Sequence, residues 1–121
     1  MIIKKLFGTA QQGATAVGVD AAKARIEAGA ALLVDVRERE EWQAGHVAGA
    51  THMPLGTLPG AASTLPKDRE IFVICRTGNR SAKAQEKLAQ AGFTHVTNVT
   101  GGMIAWAEHR LPIVTGQGDA R

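Results

Sequence analysis

Apolar residues in this chain fall into short, nearly continuous runs, separated by segments in which they recur at helical spacing. ALLVD (31–35) and EIFVIC (70–75) are runs of the first kind. Such runs suit strands buried on both faces. HVTNV (95–99) reads as a further strand, and Thr15 to Val19 as a short one. SAKAQEKLAQAG is the clearest helix, beginning near Ser81. Ala84, Leu88 and Ala91 return near the 3.6-residue period, and Gly92 offers a stop. Asp20 reads as the N-cap of AAKARIEAG, which Gly29 ends. Glu38 to Ala44 predicts a short helix closed by Gly45, and Leu58 to Thr64 predicts another. GGMIAWAEHR predicts a helix started by glycine and followed by Pro112. HVAGATHMPL reads as a loop with a short strand, and Pro66 to Asp68 as a turn.

Helices alternating with apolar strands predict a small α/β domain. Two strands end on polar residues, Asp35 and Cys75. In open α/β sheets the carboxyl ends of the strands are where ligands bind. No internal repeat or interdomain linker interrupts the pattern. The expected layout is an N-terminal arm over 1–12, one domain over 13–114 and a mobile polar tail over 115–121. In the arm, Ile2, Ile3, Leu6 and Phe7 make one helical stripe that would pack on the domain.

Composition narrows the function classes. A chain of 121 residues suits one domain with a real core, and 45% hydrophobic with 21% charged residues is ordinary for a globule. The formal net charge of +3 is mild, tyrosine is absent, and no basic run is interleaved with aromatics. Nucleic-acid binding is therefore not indicated, although mild positive charge helps small anions reach a cleft. The single cysteine cannot form an internal disulfide and suits a reducing compartment. MIIKKLFGTA is too short in its apolar run for a secretory signal, and no stretch approaches a membrane span. These features point to the cytoplasm. There is no Walker segment and no dinucleotide fingerprint, so no cofactor is implied. Four histidines without a compact acidic or cysteine cluster imply no metal. Trp42 reads as a packing residue.

The chemistry concentrates in CRTGNRS. Cys75 stands at a strand end, followed by Arg76, Thr77, Gly78, Asn79, Arg80 and Ser81. A short strand-to-helix loop can turn successive N–H groups inward, and the helix start adds its own unpaired donors. Such a nest would hold the Cys75 thiolate below the ordinary thiol value of about 8.5. Arg76 and Arg80 act in the same direction. An inert space-filling cysteine needs none of these groups, so the pattern predicts a nucleophile with a covalent intermediate. No second cysteine completes a CxxC exchange pair, and no histidine follows in a peptidase-like arrangement. Two chemistries suit the cradle: a persulfide with charge on its terminal sulfur, and a phosphate or arsenate oxyanion.

CRTGNRS, taken with LLVDVREREEWQAGHVAGATHMPL and VTGGMIAWAEHRLP, resembles a single-domain rhodanese over residues 13–114. The resemblance implies a sulfurtransferase on a small, mostly parallel five-stranded sheet with helices on both faces. It implies Cys75 as the persulfide-forming residue, surrounded by the backbone from Arg76 to Ser81, with Arg80 closing the loop. Asp35 and Arg37 match a D-x-R block. Gly45, His46, Gly49 and Ala50 match G-H-x-x-G-A, and Gly101, Gly102 and Trp106 match G-G-x-x-x-W. Asp35, Arg37 and His46 are expected to support the loop, although Arg37 with Glu40 or Glu41 also fits an ordinary local ion pair. Trp106, like Trp42, reads as a packing residue, with the pocket wall as its alternative place, and Arg76 is expected to attract the anionic donor. That donor class spans thiosulfate, glutathione persulfide and a desulfurase-bound persulfide. The acceptor would be cyanide, a thiol or a sulfur-accepting protein. The rival readings are a persulfide relay to a protein partner and a phosphatase or arsenate reductase. Relatives of the latter kind carry C-x-x-x-x-x-R. The shorter C-x-x-x-x-R here leaves room for one sulfur better than for a tetrahedral oxyanion.

Overall fold

A computed structural model describes residues 15–117. The expected N-terminal arm with its Ile2, Ile3, Leu6 and Phe7 stripe lies outside these residues, as do residues 118–121 of the tail. The elements run β1 (Ala16–Val17), α1 (Val19–Glu27), β2 (Ala31–Asp35), α2 (Arg39–Ala44), β3 (Thr51–His52), β4 (Glu70–Ile74), α3 (Asn79–Gln90), β5 (Val96–Val99) and α4 (Gly102–Glu108). The sheet has five strands in the order β1-β5-β4-β2-β3. Every strand pairing is parallel, so each connection crosses over a face of the sheet.

Side-chain alternation divides the core into two layers. On β4, Ile71 and Val73 join Val34, Val36, Ala84 and Leu88 on one face, beneath α3. Phe72 and Ile74 join Val19, Ala22, Leu33, Trp42, Val99 and Trp106 on the other, beneath α1, α2 and α4. All four of these β4 residues are at most 1% exposed, which is why this segment reads as an unbroken apolar run. Cys75 continues the period of Ile71 and Val73, so its side chain falls on the α3 face.

Three local expectations need correction. α1 starts one residue before Asp20: its N-cap is Gly18, and Asp20 lies in the first turn, where a carboxylate suits the positive end of the helix. α3 starts at Asn79 rather than Ser81, because Gly78 takes the left-handed backbone at its N-cap. The helix expected over Leu58 to Thr64 is instead two 3-10 turns, Leu55–Thr57 and Gly60–Thr64, with Pro54 and Pro59 at their N-caps. α2 opens with a capping box in which Glu38 and Glu41 each accept the other's backbone N–H.

Candidate active site

β4 and β2 pair with Asp35 opposite Ile74, which brings Asp35 and Cys75 to neighbouring positions at one edge of the sheet. After Ile74 the chain leaves the sheet through Cys75 and turns back into α3. Gly78 makes the turn with φ of +118°, a conformation that strains residues carrying a Cβ. The turn aims the Gly78 N–H at Cys75 Sγ, 3.1 Å away. Ser81, fully buried in the first turn of α3, places Oγ 3.3 Å from the same sulfur. Arg76, Thr77 and Asn79 are exposed around it, while the cysteine itself is 1% exposed.

Opposing effects act on this thiol. Burial disfavours its charged form. The Ser81 hydroxyl, when it faces the sulfur, and the backbone N–H groups of Ser81, Gly78 and Thr77 favour it. The hydrogen bonds prevail and hold Cys75 below the ordinary thiol range.

The arginines do different jobs. Arg80 points sideways and grips Glu41 of α2 through two hydrogen bonds of 2.7 and 2.8 Å. This fork holds the Glu41 carboxyl well below its usual range, at about 2. Arg80 therefore ties the start of α3 to α2, while its charge still acts on Cys75 from a distance. Arg76 makes no ion pair among the described residues. It lines a shallow groove of about 350 Å³ together with Met103, Ile104, Ala107 and Ile113.

Arg37 is not paired with Glu40 or Glu41. Its Nε and Nη2 donate to Asp35 at 2.8 to 3.1 Å, and its backbone N–H adds a bond of 3.0 Å to the same carboxylate. Nη2 also donates to the Gly45 carbonyl at 2.7 Å. Both side chains are buried, and each charge is answered by the other. The pair fixes the end of β2 to the end of α2. His46 donates from Nδ1 to the Trp42 carbonyl at 2.7 Å and stacks on the Trp42 ring at 3.5 Å. His52 stacks on the same indole at 4.8 Å and donates to the Arg37 carbonyl at 2.7 Å. The groups of this second region thus bond to one another.

α4 completes the loop from behind. Gly102 packs so closely on the Cys75 and Arg76 carbonyls that any Cβ there would overlap them. The Met103 and Ile104 N–H groups donate to those two carbonyls, at 2.8 and 3.1 Å. Trp106 points the other way. It lies in the layer beneath α1 and α4, donates Nε1–H to the Pro112 carbonyl at 2.9 Å, and lines a separate cavity of about 80 Å³. The groove beside the cysteine loop is walled by Met103, Ile104 and Ala107 of the same helix rather than by Trp106.

Glu41, His52 and Asn98 join this assembly, although none of them is among the site residues expected from the sequence. Asn98 had a signal: it is a polar amide inside a strand of valines and threonine, on the face that Val96 shares with Cys75. The link from Glu41 to Arg80 had none, because the two lie 39 residues apart. Among the described residues, no three His, Cys, Asp or Glu side chains gather where a metal ion could be held. No described helix is long and apolar enough to cross a membrane.

Comparison with known proteins gives the same architecture. The model of the rhodanese-like domain family matches residues 18–109. A sulfurtransferase of Allochromatium vinosum is 44% identical over 87 residues, 72% of this chain and 81% of its own length. The crystal structure of a rhodanese-related protein from Thermoplasma volcanium superposes with a TM-score of 0.75 at 33% identity, covering 83% of this chain and 97% of that one. The Alr3790 protein of Anabaena superposes with a TM-score of 0.76, also at 33% identity, over 82% of this chain and 80% of that one.

Proposed function

The chain belongs to the rhodanese-like domain family, and from that premise we propose that it moves sulfane sulfur through a persulfide on Cys75. The observation that carries the reading is the pair of polar groups on Sγ: the Gly78 N–H at 3.1 Å and the Ser81 hydroxyl at 3.3 Å, on a thiol held below its ordinary range. The Gly78 N–H serves a sulfur anion in place, and the Ser81 hydroxyl lies close enough to turn to one.

In the first half-reaction the Cys75 thiolate attacks the outer sulfur of thiosulfate. A new S–S bond forms at Sγ, the old one breaks, and sulfite leaves with its electron pair. In the second, cyanide or a thiol attacks the terminal sulfur, and the electron pair of the Cys75 S–S bond returns to Sγ. Inward N–H groups stabilise negative charge on the sulfur through both steps. Arg76 is the group that draws the anionic donor, since it is exposed and pairs with no carboxylate among the described residues.

The C-x-x-x-x-R spacing favours sulfur over phosphate chemistry. Gly78 closes directly onto Sγ, so its N–H serves the nucleophile rather than an oxyanion bound above it. A thiol carried by a protein is a second acceptor reading. Ile104 and Ile113, 38% and 47% exposed, border the groove beside Arg76 and offer apolar surface to a larger partner.

Intact mass after treatment with thiosulfate tests the reading. We expect one added sulfur atom, removed by cyanide and absent from Cys75→Ser. A chain that gains no sulfur from thiosulfate or from a low-molecular-weight persulfide would overturn it. So would hydrolysis of an aryl phosphate without sulfur transfer.

A further inference from the structure

The Ser81 hydroxyl has one proton and two acceptors. Oγ lies 3.3 Å from Cys75 Sγ and 2.6 Å from Asn98 Oδ1. The orientation of the Asn98 amide is dictated from its other end. Nδ2 lies 3.1 Å from the Gly78 carbonyl, which can only accept, so the NH2 group must face it. Oδ1 then faces Ser81, and it too can only accept. The serine proton therefore points at Asn98, and Ser81 offers the sulfur a lone pair. This arrangement suits a protonated Cys75 donating S–H to Ser81. It does not suit a thiolate, which needs the serine proton for itself.

We propose that Asn98 is a positioning residue that holds the Ser81 hydroxyl proton while Sγ carries no charge, and releases it to Sγ when the thiolate forms. The cycle follows from proton counting and rests on the sulfurtransferase reading for its loaded state. In the resting enzyme the chain of donors runs Cys75 to Ser81 to Asn98. When the thiol proton leaves to water, rotation about the serine Cβ–Oγ bond turns the hydroxyl to Sγ, and Asn98 gives up its bond. Once the persulfide forms, Sγ is a neutral bridging sulfur and the charge sits on the terminal atom. The hydroxyl then returns to Asn98. Asn98 thus favours the resting and loaded states over the bare thiolate, while its Nδ2–H keeps the Gly78 turn in place throughout. β5 supplies this control from a position on the same sheet face as Cys75, although it contributes no group to the sulfur itself.

The test is the pH dependence of Cys75 alkylation by iodoacetamide in the full chain, free of bound sulfur, for four proteins: wild type, Asn98→Ala, Ser81→Ala and the double variant. Charged groups around the site are Arg76 of the loop, Arg80 of α3, Glu41 of α2 and the Asp35–Arg37 pair at the end of β2. All are unchanged across the four, and Gly102, Met103 and Ile104, the α4 residues seated on the loop carbonyls, carry no charge. Asn98→Ala also removes the anchor on Gly78, and that effect alone is the same with or without Ser81. The proposal requires that the substitution move the inflection further down in pH when Ser81 is present than when it is absent. The expected difference is about three- to tenfold in acid constant, the worth of one redirected hydrogen bond. Equal shifts in the two backgrounds, or a difference of the opposite sign, would overturn it and reduce Asn98 to a loop anchor. Asn98→Val, which suits a strand better, gives the same reading if the alanine chain does not fold. Alkylation reads the empty enzyme, so this outcome is independent of the mass test for sulfur loading.

Discussion

Two polar regions meet at the carboxyl edge of the sheet, and they are built on opposite plans. The region after β2 is closed. Asp35, Arg37, Trp42, His46, His52 and the Gly45 carbonyl bond or stack mainly on one another. The region after β4 is open. Its Gly78 N–H and Ser81 hydroxyl converge on Sγ, an atom whose charge changes during the proposed cycle. A buttress and a reactive centre, both buried and polar, are told apart by how their groups are partnered. In the first every charge has a fixed partner. In the second the partners wait for a charge that comes and goes.

Three substitutions probe that division. The largest effect is expected from Asp35→Ala, which leaves the buried Arg37 guanidinium without its carboxylate. Breaking such a pair costs about 3–5 kcal/mol. Urea unfolding should show this loss, while the alkylation profile of Cys75 in the fraction that remains folded should move little. A large shift in that profile would merge the two regions into one.

Gly78→Ala should cost less stability and more reactivity. A Cβ at φ of +118° costs about 1–2 kcal/mol. Relief of that strain swings the N–H off the sulfur. The Cys75 inflection should then rise toward the ordinary thiol value, since one of the bonds that lowers it is lost. An unchanged inflection would mean that the turn contributes nothing to the thiolate.

The smallest effect belongs to Glu41→Gln, at the seam between the regions. The Arg80–Glu41 fork is about one-third exposed on each side, so solvent limits its worth to about 1 kcal/mol at most. Its pH dependence has a definite sign. Glu41 titrates lower when folded, at about 2, than the ordinary glutamate value of 4.5 that it regains on unfolding. Its contribution is present above about 4.5 and fades as pH falls toward 2, where the carboxylate takes up its proton in both states. The stability gap between wild type and Glu41→Gln should close over that window. A gap that persists below it would point to packing rather than charge.

Much of the open region was legible in the sequence because it is local. Cys75 to Ser81 is one strand end, one turn and one helix start. Residue type alone marks each part, with glycine at the turn, serine at the helix start and an apolar run that buries the strand. The closed region was legible only in part. Asp35 and Arg37 are two residues apart, yet whether Arg37 turns back to Asp35 or forward to Glu40 and Glu41 depends on where α2 packs. Arg80 could be placed in the loop but not assigned its partner, because Glu41 reaches it only across the sheet edge. Trp106 read as a packing residue, and the pocket wall was its alternative because it follows a glycine pair. The helical period turns it to the far layer, where it packs, and gives the groove to Met103 and Ile104. The pattern names the elements and their buried faces, whereas pairings between distant side chains appear only once the elements are stacked.

The close seat of Gly102 on the Cys75 and Arg76 carbonyls has an effect on how the domain comes apart. The thiol loop cannot lift without unseating the first turn of α4, so the two should open as one cooperative unit. Amide protons of Met103 and Ile104 would then exchange with solvent in step with loss of thiol reactivity. A fragment cut before Gly102 would lose its chemistry, although nothing it had shed was bonded to the sulfur.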